Sequence, residues 1–210
     1  MKPRLVLVAF LAVAAVACGR AAADSVTYTD PDNRFLVRLP PGWHLYQADE
    51  LAQVEVPFVH PVQGLEFPVS SMVGFDRAPA RSPVNLEVPL VEADFPVGVA
   101  TVRTIGTLQR DFVSRFVLTE AVVPYRSLPN SRELLKEDFS FGRGYEGVRA
   151  LVVYTDEVGR DFAVAYLISV TDPADTVMFS VAAGCSRDCF IQHQDEIEQV
   201  VDSWLVNTRA

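Results

Sequence analysis

Three apolar runs near the C-terminus decide the fold: Val148-Arg149-Ala150-Leu151-Val152-Val153-Tyr154, Phe162-Ala163-Val164-Ala165-Tyr166-Leu167-Ile168-Ser169-Val170 and Val177-Met178-Phe179-Ser180-Val181-Ala182-Ala183. In each run one set of apolar residues recurs at every second position, Val148, Ala150, Val152 and Tyr154 in the first, which is the period of a β-strand. Asp156 to Arg160 and Asp172-Pro173 separate the runs and carry turn chemistry. Three consecutive period-two strands joined by short turns predict an antiparallel meander. Its intervening positions are also largely apolar, so both faces of the sheet are expected to be covered at its centre. The segment that follows, Cys189 to Leu205, changes period. Phe190, Ile197, Val200, Val201 and Trp204 fall on one side of a helix, with Asp195, Glu196, Glu198 and Asp202 on the other. Such a helix is expected to pack on the sheet.

Toward the N-terminus, Ser25 to Thr29 reads as a short strand and Asp30-Pro31-Asp32-Asn33 as a turn. Phe35, Val37 and Leu39 then alternate with Leu36 and Arg38 until Pro40-Pro41-Gly42 stops the strand before Trp43. The pattern Asn33-Arg34-Phe35, alternating strand, Leu39-Pro40-Pro41-Gly42-Trp43 resembles the opening hairpin of the PsbP/Mog1-like domain family. Ile197 to Val206, with Ser203-Trp204, is similar to that family's closing helix and final strand. The resemblance implies an α+β domain, a twisted antiparallel sheet flanked by helices in a PsbP/Mog1-like α/β sandwich. Bacterial members include exported lipoproteins of the LpqN and DcrB kinds. The resemblance brings no common enzymatic activity and no catalytic residue, and implies that such proteins bind or support protein partners.

The middle of the chain is less periodic. Ala48 to Val54 predicts a short helix. Pro57 to Pro96 holds seven of the fourteen prolines, and proline within a sheet is confined to edges, turns and bulges. Within it Val69 to Asp76 reads as a strand, and Asn85 to Val91 as a second. Phe58, Phe67, Met72, Phe75 and Phe95 lie in this proline-broken stretch and form a candidate partner surface, against the alternative that all five pack inward as a cover over the sheet. Leu108, Phe112 and Phe116 recur every four residues and suggest an amphipathic helix across Thr107 to Glu120. Ser131-x-x-Leu134 heads another short helical candidate, Arg132 to Glu137.

The first residues address the chain. Lys2 and Arg4 precede an apolar run from Leu5 to Ala17, followed by Cys18. This is the layout of a secretory signal, and the run is shorter than the roughly 20 apolar residues a spanning helix needs. Ala15-Val16-Ala17-Cys18 fits the tolerant form of a bacterial lipobox. The expected organisation is a lipoprotein signal peptide over residues 1–17, a tether over 18–25 and a single α+β domain over 26–210. Cys18 would carry the lipid that anchors the protein to the outer face of the cell membrane, or the protein would be secreted if it is not lipidated. Cys185 and Cys189, the remaining pair, are expected to form a disulfide in an exported chain.

Charge excludes one class of partner. The chain has a formal net charge of −9, and losing Lys2 and Arg4 with the leader makes it more negative. An acidic domain without a basic cluster repels phosphate backbones, so nucleic acid is not an expected partner. Catalytic and cofactor motifs fare no better. Gly142-Arg143-Gly144-Tyr145-Glu146-Gly147 has the literal spacing of a dinucleotide loop, but a strand rather than a helix follows it, so it reads as a glycine-rich turn. His44, His60 and His193 are far apart, and no metal-ligand spacing is present. No cofactor is expected and no enzymatic activity is assigned. The expected function is that of a membrane-anchored extracytoplasmic lipoprotein, non-catalytic, binding an unknown protein partner or supporting a cell-envelope complex. The alternatives are a carrier of an apolar small molecule or lipid in a sheet–helix pocket and, less favoured, a hydrolase with dispersed residues.

Overall fold

Alternation along the meander runs produces three long strands, β7 (Tyr145–Thr155), β8 (Asp161–Thr171) and β9 (Val177–Ser186), paired antiparallel in sequence order. The computed structural model describes residues 25–54, 56, 67–122, 130–155 and 158–209. The other strands are β1 (Val26–Thr29), β2 (Phe35–Leu39), β3 (His44–Tyr46), β4 (Val69–Asp76), β5 (Val97–Thr104), β6 (Ser131–Gly142) and β10 (Leu205–Val206). Three helices are described: α1 (Ala48–Leu51), α2 (Arg115–Glu120) and α3 (Arg187–Asp202).

Seven strands form one antiparallel sheet in the order β3-β4-β5-β9-β8-β7-β6, and β1-β2-β10 form a small second sheet. After β5 the chain leaves the middle of the sheet, starts again at the far edge with β6, and winds back until β9 lies against β5. The β5–β9 seam joins the two halves through eight residue pairs, from Val97↔Gly184 to Thr104↔Val177. Gly98 is required there. A Cβ at that position would meet the Phe75 ring and the Ala182 carbonyl oxygen at 2.6 Å.

Both faces of the large sheet are buried. On one, Val164, Tyr166, Ile168, Phe179, Val181 and Ala183 pack with Phe190, Ile197, Val200, Val201 and Trp204 of α3, and with Phe35, Val37 and Leu39 of β2. On the other, Val148, Ala150, Val152, Ala165 and Leu167 pack with Leu118 and Ala121 of the α2 region and with Tyr46, Leu51 and Leu86. Each fully buried Val, Leu, Ile or Phe side chain contributes roughly 1.5–3 kcal/mol, so the meander, apolar on both faces, is the structural centre. The fold is α+β, as the alternation and the terminal motifs imply.

Several elements depart from the sequence reading. Arg132 to Glu137 is part of strand β6 and not a helix; an isolated six-residue helix is poorly nucleated, whereas β7 offers it a full ladder. Asn85 to Val91 is not a strand: Pro83 starts a 3-10 turn over Pro83–Glu87 that buries Leu86. The helix expected across Thr107 to Glu120 contracts to α2, capped where Ser114 Oγ accepts from the Val117 amide, with a 3-10 turn at Arg110–Phe112 before it. Leu108 is 88% exposed, so it does not belong to a buried helical stripe. Strand β5 carried no clear alternating signal, because nearly every side chain in it is buried, on both faces.

Candidate functional site

The turn entering β8, the end of β9 and the start of α3 meet at one end of the large sheet. Ser186 is both the last residue of β9 and the N-cap of α3. Directly beneath this junction Cys185 and Cys189 are joined in a disulfide, with Cα atoms 5.9 Å apart. Both cysteines are buried, so the bridge fixes the angle at which α3 leaves the sheet without itself facing solvent.

Around this junction lies an open cleft of about 780 Å³. Arg132 of β6, Arg160 and Asp161 at the start of β8, and Arg187 and Asp188 at the start of α3 supply its charges, and Phe162 and Val91 its apolar patches. Arg132 donates to both carboxylate oxygens of Asp161, at 3.0 and 3.1 Å. Arg187 pairs with Asp188 at 3.1 Å. On a chain of net charge −9, the rim combines Arg132, Arg160 and Arg187 with Asp161 and Asp188. Such a rim, with a guanidinium half exposed at Arg187 (50%) and Arg132 (56%), suits polar, carboxylate-bearing surfaces that arginine can meet with two parallel hydrogen bonds.

Neither described histidine lines the cleft. The His44 ring is engaged at Nε2 with the Ala78 carbonyl, 3.0 Å away. His193 sits beside Glu196 at 3.5 Å, at a kink in α3 where its backbone leaves helical geometry. His60 lies outside the described residues. Among the described residues no group of three His, Cys, Asp or Glu side chains could hold a metal ion. Gly142 to Gly147 is the β6–β7 hairpin turn and the start of β7, with Gly142, Arg143 and Gly144 all at positive φ.

Of the five residues proposed as a partner surface, the four that are described are not exposed. Phe75 and Phe67 are buried, and Met72 and Phe95 are half-buried against the second core. Phe58 and Cys18 lie outside the described residues. The physical reason is strand β4, which is paired on both sides, with β3 and β5. Its second half, Val73 to Asp76, is buried between the two cores, Phe75 tilting against Trp43 with centroids 6.0 Å apart. The cleft went unread in the sequence because its residues come from three separated elements. The only local signal was the pair of polar segments Gly159-Arg160-Asp161 and Ser186-Arg187-Asp188, which read simply as a turn and a cysteine loop.

The arrangement of a large antiparallel sheet, a capping C-terminal helix and a small terminal sheet is the PsbP/Mog1-like fold. Cyanobacterial PsbP (CyanoP) from Synechocystis sp. PCC 6803 matches it at a TM-score of 0.51, with 14% identity over 90% of this chain and 96% of that one. LpqN of Mycobacterium tuberculosis, a protein involved in cell envelope biogenesis, matches at 0.49, with 14% identity over 88% of this chain and 91% of that one. The Ran-binding protein Mog1p of Saccharomyces cerevisiae matches at 0.49, with 10% identity over 88% of this chain and 96% of that one. At these identities the likeness is one of fold. No protein-family model and no curated protein matches the sequence.

Proposed function

We propose that this protein is an extracytoplasmic lipoprotein, held to the cell membrane through Cys18, that acts by binding a protein partner and not by catalysis. The observation that carries the binding role is the open, arginine-rimmed cleft at the sheet–α3 junction. A disulfide and the β8–β9 ladder tie the start of α3 to the sheet beside it, and preorganised surfaces bind at lower entropic cost. Anchoring rests on the sequence of residues 1–18, and no described helix is long and apolar enough to cross a membrane. The carrier reading is disfavoured on the α3 side of the sheet, where Phe190, Ile197, Val200, Val201 and Trp204 fill the layer at 0–5% exposure.

Two measurements test this. A photoreactive side chain at position 187 in the full chain should yield a discrete protein adduct in intact cells, and one at position 108 should not. An adduct to lipid alone, or none, would overturn the partner-binding reading. For anchoring, Cys18→Ala should accumulate as precursor or appear in the soluble fraction. A Cys18→Ala chain that matures and stays on the membrane rules the lipid anchor out.

A further inference from the structure

Strand β6 forms one edge of the seven-stranded sheet. It is 12 residues long, and among the described residues β7 is its only strand partner. A long edge is a template for further pairing unless something deters it. This edge carries two common deterrents, a lysine and a bulge, but both are arranged in an unusual way.

The bulge lies between Glu133 and Leu135, making Leu134 the extra residue. Because of it, Glu133 and Lys136 pair with Val152 and Ala150 and share one face, while Arg132, Leu135 and Glu137 pair with Val153, Leu151 and Arg149 and share the other. In an unbulged strand Glu133 and Lys136 would point to opposite faces. The segment thus reads Arg, Glu, Leu, Leu, Lys, Glu from 132 to 137, with charges that match themselves in reverse. Turned about a two-fold axis normal to the sheet at Leu134–Leu135, Arg132 meets Glu137 of a second copy and Glu133 meets its Lys136. Each pair is on a common face and opposite in sign. At the axis, Leu134 and Leu135, 51% and 40% exposed, of one copy meet the same two leucines of the other.

We propose that β6 is a self-recognition edge, along which two copies of this chain pair antiparallel and join their sheets into one. The interface is isologous, as a two-fold contact requires. Opposite charges directly across an antiparallel pair stabilise it, and like charges destabilise it. The same lysine and bulge that discourage an unrelated strand are accommodated only by an edge carrying the same bulge and the reversed charge order, which gives the contact its specificity. Arg132 and Glu137 remain 56% and 48% exposed in their bonds to Asp161 and Arg149, so each has surface left for a partner. The proposal adds a contact between copies of the chain, and it shares Arg132 with the cleft rim.

The test is a charge swap on the full chain, purified in mild detergent and followed by sedimentation velocity. The wild type should show a concentration-dependent dimer. Glu133→Lys alone sets a new lysine against Lys136 of the other copy, and Lys136→Glu alone sets a new glutamate against its Glu133, so each should weaken self-association about tenfold or more. An equimolar mixture of the two variants restores both opposite-charge pairs in the mixed dimer and should recover association. A merely structural role of the Lys136–Glu133 bond within one strand does not predict that recovery. As a check independent of charge, Leu134→Cys should give a covalent dimer under oxidising conditions, and Leu108→Cys should not. A wild type that stays monomeric, a dimer indifferent to both reversals, or a mixture that fails to recover association overturns the assignment.

Discussion

The indole N–H of Trp43 donates to a carboxylate oxygen of Glu196, 3.1 Å away across 153 positions of sequence. It joins the loop after β2 to α3, and the Arg77 guanidinium contacts the same oxygen at 3.2 Å. Burial pushes the Glu196 carboxyl up, but the Trp43 N–H, Arg77 and His193 outweigh it and hold the group below its ordinary value of 4.5. The ionised form is therefore favoured in the folded state. Its contribution is complete above the unfolded value and is lost as pH falls through the lower folded one. With the side chain 35% exposed, solvent screening keeps this to about 0.2–1 kcal/mol. Glu196→Gln should lose less stability than the wild type when acidified from about pH 5 to pH 3, in urea titrations at each pH. Identical acid sensitivity in the two proteins removes Glu196 from the account.

Asp76 is fully buried and accepts from three donors: Tyr46 Oη at 2.8 Å, Asn85 Nδ2 at 3.0 Å and the Ala78 amide at 3.0 Å. Tyr46 Oη in turn accepts from the Ser82 amide at 2.9 Å. Burial first, and Asp76 second, hold the Tyr46 hydroxyl protonated well above its usual range. Asp76→Ala strands these donors and should cost about 1–3 kcal/mol, with the segment after β4 losing hydrogen-exchange protection first. A change within about 0.5 kcal/mol means that water replaces the carboxylate.

Gly147 of β7 pairs with Val170 of β8. A Cβ there would overlap the Ser169 carbonyl oxygen and lie 2.6 Å from the Val170 Cα. Both are backbone atoms and cannot turn aside. Gly147→Ala should therefore destabilise the protein by about 1–3 kcal/mol, as overpacking does. Gly159→Ala is the comparison: its added methyl meets nothing within 4 Å, but its φ of +81° carries a backbone strain. The thermal midpoint should fall more for Gly147→Ala; the reverse order would mean that the β7–β8 contact relaxes freely.

Reducing the Cys185–Cys189 bridge, or replacing both cysteines with serine, should cost roughly 2 kcal/mol, since the loop closed is short. Thiol titration of the native protein should find neither sulfur reactive until it is unfolded in the presence of reductant. The photo-adduct at position 187 should weaken on the same change, because Arg187 lies inside the closed loop.

Period and turn chemistry determined the parts of this molecule whose neighbours are close in sequence. The strand Phe35–Leu39 and the meander are where alternation placed them, because a strand buried through a regular ladder repeats its environment every two residues. Helix α3 followed from its apolar stripe. The terminal motifs carried the fold, and their strands pair with each other, Leu205 with Leu36 and Val206 with Phe35. Tertiary structure alone decided the rest. Arg132 to Glu137 is polar and short, and it is a strand only because β7 supplies its hydrogen bonds. Phe67 and Phe75, set among prolines, look free to be exposed, but Phe75 packs with Trp43 in one core and Phe67 with Tyr46 and Leu51 in the other. The cleft draws on β6, the turn into β8 and the start of α3, which lie far apart along the chain. Periodicity reports how a residue is buried relative to its near neighbours, whereas these outcomes depend on which distant backbone offers a partner.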